Sequence, residues 1–317
     1  MTNDQKRQIV EGALQYIRDK NIKQADFARY TGVGESYLSN ILNGKFTYKA
    51  GGDKIVDIKD KYFEMIADKI DMSLVVAYWR VIQTPQFIQT ISALEDAQKR
   101  AVVKLIIGQT GCGKTFTVDK FKEAYPTSFF KITVSQLHNI KDILEDLGAQ
   151  LELKLPVRKA SRLRMIAEKL RDMAMNGQKP CVCIDEAENL THGMIGLSKA
   201  IYDAIIKYSG FVMIGTQELL DKLDTLERYG KEGIPQFRRR TKAGTVILSA
   251  INRQDDFAAF LADVQDADLR KFLTALCANY GELHDYLEPA LRSAAEDGVV
   301  LTDQYFKTMY NINTNVA

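Results

Sequence analysis

No apolar stretch in these 317 residues is long enough to span a bilayer, and the segment from Met1 to Arg7 runs straight into an amphipathic pattern rather than into the apolar core of a signal peptide. The sequence therefore predicts a cytoplasmic protein with no membrane partner. Cysteine is scarce, and four in a chain of this size make no disulfide framework. Cys112 falls in a glycine-rich loop, Cys181 and Cys183 alternate within an apolar run without partner ligands nearby, and Cys277 sits in a helical pattern. That placement excludes a structural zinc site and leaves buried, reduced thiols. The three histidines, His138, His192 and His284, are too scattered for a metal or catalytic constellation. An excess of one charge is missing too: 43 Lys and Arg stand against 41 Asp and Glu, for a net charge of +2. Any nucleic-acid binding must then come from a local patch or a dedicated module.

What is present is an ordinary globular composition, 46% hydrophobic and 26% charged. The length suffices for one large α/β domain with one or two small ones. The most specific feature is Gly108-Gln109-Thr110-Gly111-Cys112-Gly113-Lys114-Thr115, a complete G-x-x-x-x-G-K-T phosphate-binding loop. The apolar run Val102 to Ile107 precedes it, a helical pattern follows, and Phe116 is counted with the loop residues as a nucleotide contact. Glycines let successive backbone N–H groups turn inward around phosphates, Lys114 reaches the β- and γ-phosphates, and the Thr115 hydroxyl is placed for Mg2+. A helix starting at about Gly113 adds its positive dipole end.

Four further apolar, β-rich runs alternate with helical patterns: 128–134, 181–184, 210–214 and 245–248. Such alternation predicts a parallel sheet covered by helices on both faces, with ligands at the carboxyl ends of the strands. The run at 181–184 delivers Asp185 and Glu186 to that edge. Asp185 is the expected second Mg2+ residue and Glu186 the residue that polarises an attacking water. The run at 210–214 leads to Thr216 and Gln217. Thr216 is the candidate to touch the γ-phosphate or orient the water, with Gln217 second; a helix-capping threonine fits the same position.

At the front, apolar residues Ile9, Val10, Ala13, Leu14 and Ile17 recur at helical spacing. The stretch Lys23 to Gly44 then resembles the helix-turn-helix of the phage repressor and Cro family, on Ala28 at a close helix crossing, Gly32 in the turn, Val33 as a core plug, and Ile41 and Leu42 closing the unit. The resemblance implies that Glu35, Ser36, Tyr37, Ser39 and Asn40 face a DNA major groove, with phosphate contacts from Lys23, Arg29, Lys45 and Lys49. A small three-helix bundle with no DNA role fits the same pattern. Residues 48–53 read as a loop, and 55–71 as one further helix. Lys154, Arg158, Lys159, Arg162 and Arg164 fall in an acid-free stretch, a second candidate for DNA contact or else an exposed helix face.

Together these motifs resemble AAA+ ATPases and, in domain order, the family of the B transposition protein of bacteriophage Mu. The implied fold class is α/β: an AAA+ P-loop NTPase core, an N-terminal all-α helix-turn-helix domain and a C-terminal α-helical lid. The corresponding boundaries are 1–50, a helical connector 51–95 containing Tyr78-Trp79-Arg80, a core 96–250 and a lid 251–317. In AAA+ oligomers an arginine near 235–240 completes the neighbouring subunit's site, which implies Arg238 or Arg239 in that role. The lids of that class often carry a nucleotide-sensing arginine; here His284 stands near its place and Arg292 two turns later. The resemblance further implies ATP and Mg2+ as cofactors, ATP hydrolysis, self-assembly into filaments on double-stranded DNA, and a transposase as partner. A helicase-loading ATPase and a nucleotide-switched transcriptional regulator are the alternatives.

Overall fold

The structure is a computed structural model and describes residues 3–20, 22–49, 55–70 and 78–312. It divides into two compact units, residues 1–78 and 79–317.

In the first unit α1 (Asn3–Lys20), α2 (Gln24–Thr31) and α3 (Glu35–Leu42) are followed by strands β1 (Thr47–Lys49) and β2 (Ile55–Asp57) and by α4 (Asp60–Lys69). The turn between α2 and α3 works as the sequence implies. Gly32 adopts φ +72°, where a Cβ would also press on Met65 at 3.2 Å. Val33 fills the core beside Ala28, Phe27, Leu38 and Ile41. Two expectations need correction. Residues 55–71 are not one helix: Ile55–Asp57 pair antiparallel with Thr47–Lys49, so the expected all-α unit carries a small β-ribbon. The domain boundary at residue 50 also falls too early, because Ile58, Phe63, Ile66 and Ala67 are buried in the same core as α1 to α3. Within residues 48–53, Tyr48 and Lys49 belong to β1, and the rest lies outside the described residues.

The second unit opens with α5 (Pro85–Arg100), whose N-cap Thr84 accepts from Phe87 N at 3.2 Å and whose first residue is a proline. Ala93, Leu94 and Ala97 pack on the sheet that follows, so this half of the expected connector is part of the core unit. The sheet is parallel, in the order β4 (Phe129–Thr133), β5 (Cys181–Asp185), β6 (Gly210–Gly215), β3 (Val103–Ile107), β7 (Thr245–Ile247). All five strands stand where the apolar runs predict them. β5 and β6 are buried at every position, which is why they read as continuous apolar runs rather than alternating ones.

Helices α6 (Lys114–Ala124), α7 (Ile140–Gln150), α8 (Lys159–Met175), α9 (His192–Ile205), α10 (Gln217–Arg228) and α11 (Ile234–Lys242) connect the strands. Alternate strand residues face two separate cores. Phe130, Ile132, Val182, Ile184, Phe211 and Met213 pack with α7, α8 and α9, whereas Phe129, Cys181, Cys183, Val212 and Ile214 pack with α5 and α6. A third core unites α12 (Arg253–Phe260), α13 (Ala267–Leu276), α14 (Tyr280–Glu296) and α15 (Asp303–Met309) around Phe257, Leu269, Leu283 and Phe306. Burial pushes up the thiol pKa of all four cysteines, that of Cys277 to about 11, so none is poised as a thiolate. Among the described residues no helix is long and apolar enough to cross a membrane.

Candidate nucleotide site

β3 delivers the phosphate loop to the carboxyl edge of the sheet. Gly108 N donates to Gly215 O at 3.0 Å, and a Cβ at Gly108 would strike Leu248 at 2.7 Å and Cys112 Sγ at 2.9 Å. The loop therefore lies close against β6 and its own buried cysteine. Gly111 and Gly113 hold φ of +72° and +85°, a region that costs side-chain-bearing residues roughly 1 kcal/mol or more. From Gly113 the chain enters α6, whose first turn aims free N–H groups and positive dipole at the loop. Lys114 Nζ donates back to Gly108 O at 2.9 Å and Gln109 O at 2.8 Å. Thr115 and Phe116 are exposed at the mouth, and Cys112 is buried beneath.

β5 brings Asp185, 1% exposed, to the same edge. Its Oδ1 accepts from Glu186 N at 2.9 Å, and its Oδ2 faces Lys131 Nζ at 3.2 Å in an ion pair. Glu186 is a non-glycine residue at φ +53°, held there by the 3-10 turn of residues 187–189. This outlier lies at the carboxyl edge of the sheet, and backbone strain of this kind clusters at functional sites. Asn189 Nδ2 donates to Glu186 Oε2 at 3.3 Å and to Val134 O at 2.9 Å, tying the glutamate to the end of β4.

β6 leads to Thr216, whose Oγ1 is buried and has no hydrogen-bond partner among the described residues. The alternative of a capping threonine does not hold, since its side chain makes no cap bond to α10. An orphaned hydroxyl aimed into this pocket fits an absent acceptor such as a phosphate oxygen or a water. Gln217, the second candidate, instead donates to Asp221 at 2.9 Å along α10 and does not line the pocket.

These elements line one cavity of about 420 Å3, within the roughly 300–1,000 Å3 of small-molecule sites. Its polar half holds Thr110, Gly111, Gly113, Lys114, Thr115, Asp185, Glu186, Glu188 and Thr216. Its other half is mainly aromatic and aliphatic, with Trp79, Ile82, Phe87, Phe260 and Tyr280 beside Arg80, Thr84, Gly281 and His284. Trp79 stacks on Phe260 (4.6 Å between ring centroids, 17° between planes) and meets His284 edge-on at 5.0 Å. A polar cradle joined to an aromatic shelf fits a nucleotide, phosphates at one end and base at the other. Because Trp79 is the sole tryptophan, binding of ATP or ADP should change its emission saturably, and Trp79→Phe should abolish the signal. A signal that persists in Trp79→Phe, or none in the wild type at saturating nucleotide, would remove the base from this shelf.

Sequence reasoning missed several of these residues. Glu188 Oε2 accepts from Thr216 N at 3.3 Å, linking the acid-bearing turn to the threonine. Lys131, Asn189 and Tyr280 lie on other elements or outside the motifs, and no local pattern marks them. The Tyr280 hydroxyl sits 2.8 Å from Gln86 Oε1 and 2.7 Å from Asp256 Oδ2, joining α14 to α5 and α12. Of the two C-terminal candidates for nucleotide contact, His284 lines the cavity, whereas Arg292 pairs with Glu288 at 3.7 Å further along α14.

The structure also separates the arginines. Arg238 is 6% exposed, and its Nε donates to Asp224 Oδ1 at 2.7 Å. It braces α11 against α10, so its candidacy for reaching a neighbouring subunit is corrected. Arg240 pairs with Asp203, whereas Arg239 is exposed and makes no ion pair among the described residues. In the basic stretch, Lys154, Arg158, Lys159 and Arg164 are exposed. Arg162 is buried, donating to Pro156 O at 2.6 Å and Glu145 Oε1 at 2.9 Å, and is withdrawn as a DNA contact. In the first unit Ser36 is exposed, and Ser39 and Asn40 are half-buried. Tyr37 is stacked on Tyr62 (4.9 Å, 18°) and edge-on to Tyr48 (5.0 Å). It packs the β-ribbon and α4 onto α3 instead of standing free to enter a groove.

Residues 97–223 match the model of the AAA domain family. The Mu-like prophage FluMu DNA transposition protein B of Haemophilus influenzae is 26% identical over 191 residues, which are 58% of this chain and 61% of that protein. The match thus spans less than two thirds of the relative's length. Among solved structures, Cdc6p from Pyrobaculum aerophilum is similar with a TM-score of 0.56 at 18% identity, over 74% of this chain and 68% of that one. The ORC2 protein of Aeropyrum pernix follows with a TM-score of 0.52 at 15% identity, over 73% and 67%. At such identities the likeness is one of fold, an AAA+ P-loop core with its parallel sheet. Motif, fold and relative agree on an AAA domain with a P-loop core, in a chain that is similar to a Mu-like transposition protein B.

Proposed function

We propose that this protein is an ATP-dependent DNA-binding ATPase of a transposition system, which assembles on target DNA in the cytoplasm, delivers it to a transposase and stimulates that enzyme. The observation that carries the reading is the meeting of Lys114, Asp185, Glu186 and the unpartnered Thr216 hydroxyl in one cavity, in a chain related to a transposition protein B.

In this reading Lys114 swings from the Gly108 and Gln109 carbonyls to the phosphates, and the loop amides hold their oxygens. Thr115 and Asp185 would hold Mg2+, which supplies positive charge against the triphosphate. Glu186, kept in place by Asn189, accepts the proton of the attacking water. Thr216 donates to the γ-phosphate or to that water. Arg239, the exposed member of its triplet, reaches into a neighbouring subunit's site and neutralises charge there. Nucleotide occupancy then governs assembly, and hydrolysis loosens it. Many copies in a row sum weak backbone contacts into firm binding, which suits a chain of net charge +2. The contacts assigned to DNA are Ser36, Ser39 and Asn40 of the first unit and Lys154, Arg158, Lys159 and Arg164 of the second.

The test is fluorescence anisotropy of unrelated duplexes with ATP, ADP or no nucleotide, with negative-stain microscopy of the same samples. Sequence-tolerant, ATP-dependent binding with filaments is the expected result. Tight binding to one sequence whatever the nucleotide, with small discrete oligomers, would instead make the protein a DNA-reading regulator.

A further inference from the structure

Asp185 is closed off from behind by a buried cation. Lys131 stands on β4, in the register Thr133↔Asp185, so it lies two residues before the partner of Asp185 and on the same sheet face. That face packs on α6 through Phe129, Cys183 and Phe121. The Lys131 side chain is 9% exposed, and its Nζ lies 2.5 Å from Asp119 Oδ1 and 3.2 Å from Asp185 Oδ2. Asp119 is four residues after Thr115 on α6, hence on the same side of the helix. A lysine, not a solvent path, thus backs the acid on which the proposed metal site depends. An ammonium removed from water at this depth is costly unless it is paired, and Asp119 and Asp185 both pair with it.

We infer that Lys131 is a built-in counter-ion that keeps divalent cations off Asp185 unless they arrive with a nucleotide. The inference rests on the reading of Asp185 as the Mg2+ residue. A free divalent ion reaching the Asp185 carboxylate meets an ammonium already paired with it, and the like-charge repulsion disfavours the metal alone. A metal carried by phosphates brings enough negative charge to overcome that repulsion. Asp119 sets the strength of the effect, because it draws the ammonium partly away from Asp185. Lys131 is therefore a positioning residue: it fixes the carboxylate and sets which form of the metal is accepted.

The experiment is Mn2+ binding to the full chain followed by electron paramagnetic resonance, without nucleotide and with ADP, which needs no turnover. Lys131→Met should bind Mn2+ alone at least about tenfold more tightly than the wild type, with a much smaller gain in the presence of ADP. Lys131→Arg should restore the wild-type isotherms. Asp119→Asn, which leaves the ammonium on Asp185 alone, should weaken Mn2+ binding in both conditions, and it keeps the idea testable should Lys131→Met fold poorly. Asp185→Asn separates the two readings. If it binds Mn2+ with ADP as the wild type does, the metal assignment of Asp185 is wrong. If it binds poorly while Lys131→Met and Asp119→Asn leave the isotherms unmoved, the counter-ion role of Lys131 is overturned and the metal site stands.

Discussion

Lys114→Ala should abolish nucleotide binding, weakening ATP and ADP affinity by about a hundredfold or more, and with it ATP-dependent assembly on DNA. Lys114 shares the cavity with one other Lys or Arg, Arg80, which is already paired with Asp263, and charge-assisted contacts of the kind Lys114 can offer are roughly twice as strong as neutral ones. Its present bonds go to the Gly108 and Gln109 carbonyls, which water can satisfy in its absence. Fold stability without nucleotide should consequently barely change, while the rise in melting temperature produced by ATP in the wild type should vanish. Thermal melts with and without ATP, alongside calorimetric titration, separate the two effects. Wild-type affinity in the variant would mean that the phosphates lie elsewhere.

Glu186→Gln should leave binding in place and slow hydrolysis by a factor of about 10² to 10⁴, the usual contribution of a positioned general base. The substitution is close to isosteric. Glutamine at φ +53° bears the same backbone strain as glutamate, and its amide oxygen can still accept from Asn189. The change thus isolates the carboxylate's ability to take a proton. Phosphate release should fall while ATP-bound DNA complexes outlive those of the wild type. Release at the normal rate would shift the role to another acid, with Glu188 next along the chain and already lining the cavity.

The parts of the molecule that could be read from the sequence are those whose signals are local. The phosphate loop is a contiguous set of residues whose chemistry demands that order, and Asp185-Glu186 sit at the end of an apolar run that can only be a buried strand. β5 and β6 are the most legible strands because full burial on both faces leaves no polar alternation to confuse them. Side-chain fate on helices was not legible. Arg238, Arg239 and Arg240 are neighbours in sequence, yet successive residues on a helix point about 100° apart, so one is buried on Asp224, one is exposed and one pairs with Asp203. The fates of Arg162 and Tyr37 escape the sequence for a related reason: the partners that consume them, Glu145 for one and Tyr48 and Tyr62 for the other, are fixed only by tertiary packing. The boundary near residue 50 failed because a polar, glycine-bearing stretch can be a ribbon within a domain as readily as a link between domains.

The contact between the C-terminal helices and the phosphate loop is made by main chain: Gly281 N donates to Gly111 O at 3.2 Å, and the Asn279 side chain fills the space over Gly111 that a Cβ would need. Every residue type except proline carries that N–H. The bond itself asks only for that N–H, although a Cβ at 281 would press on Asn279 Oδ1 at 3.2 Å, and it ties the C-terminal helices to the loop without any arginine. What joins the C-terminal helices to the phosphate loop is thus written in the backbone rather than in a sensing side chain.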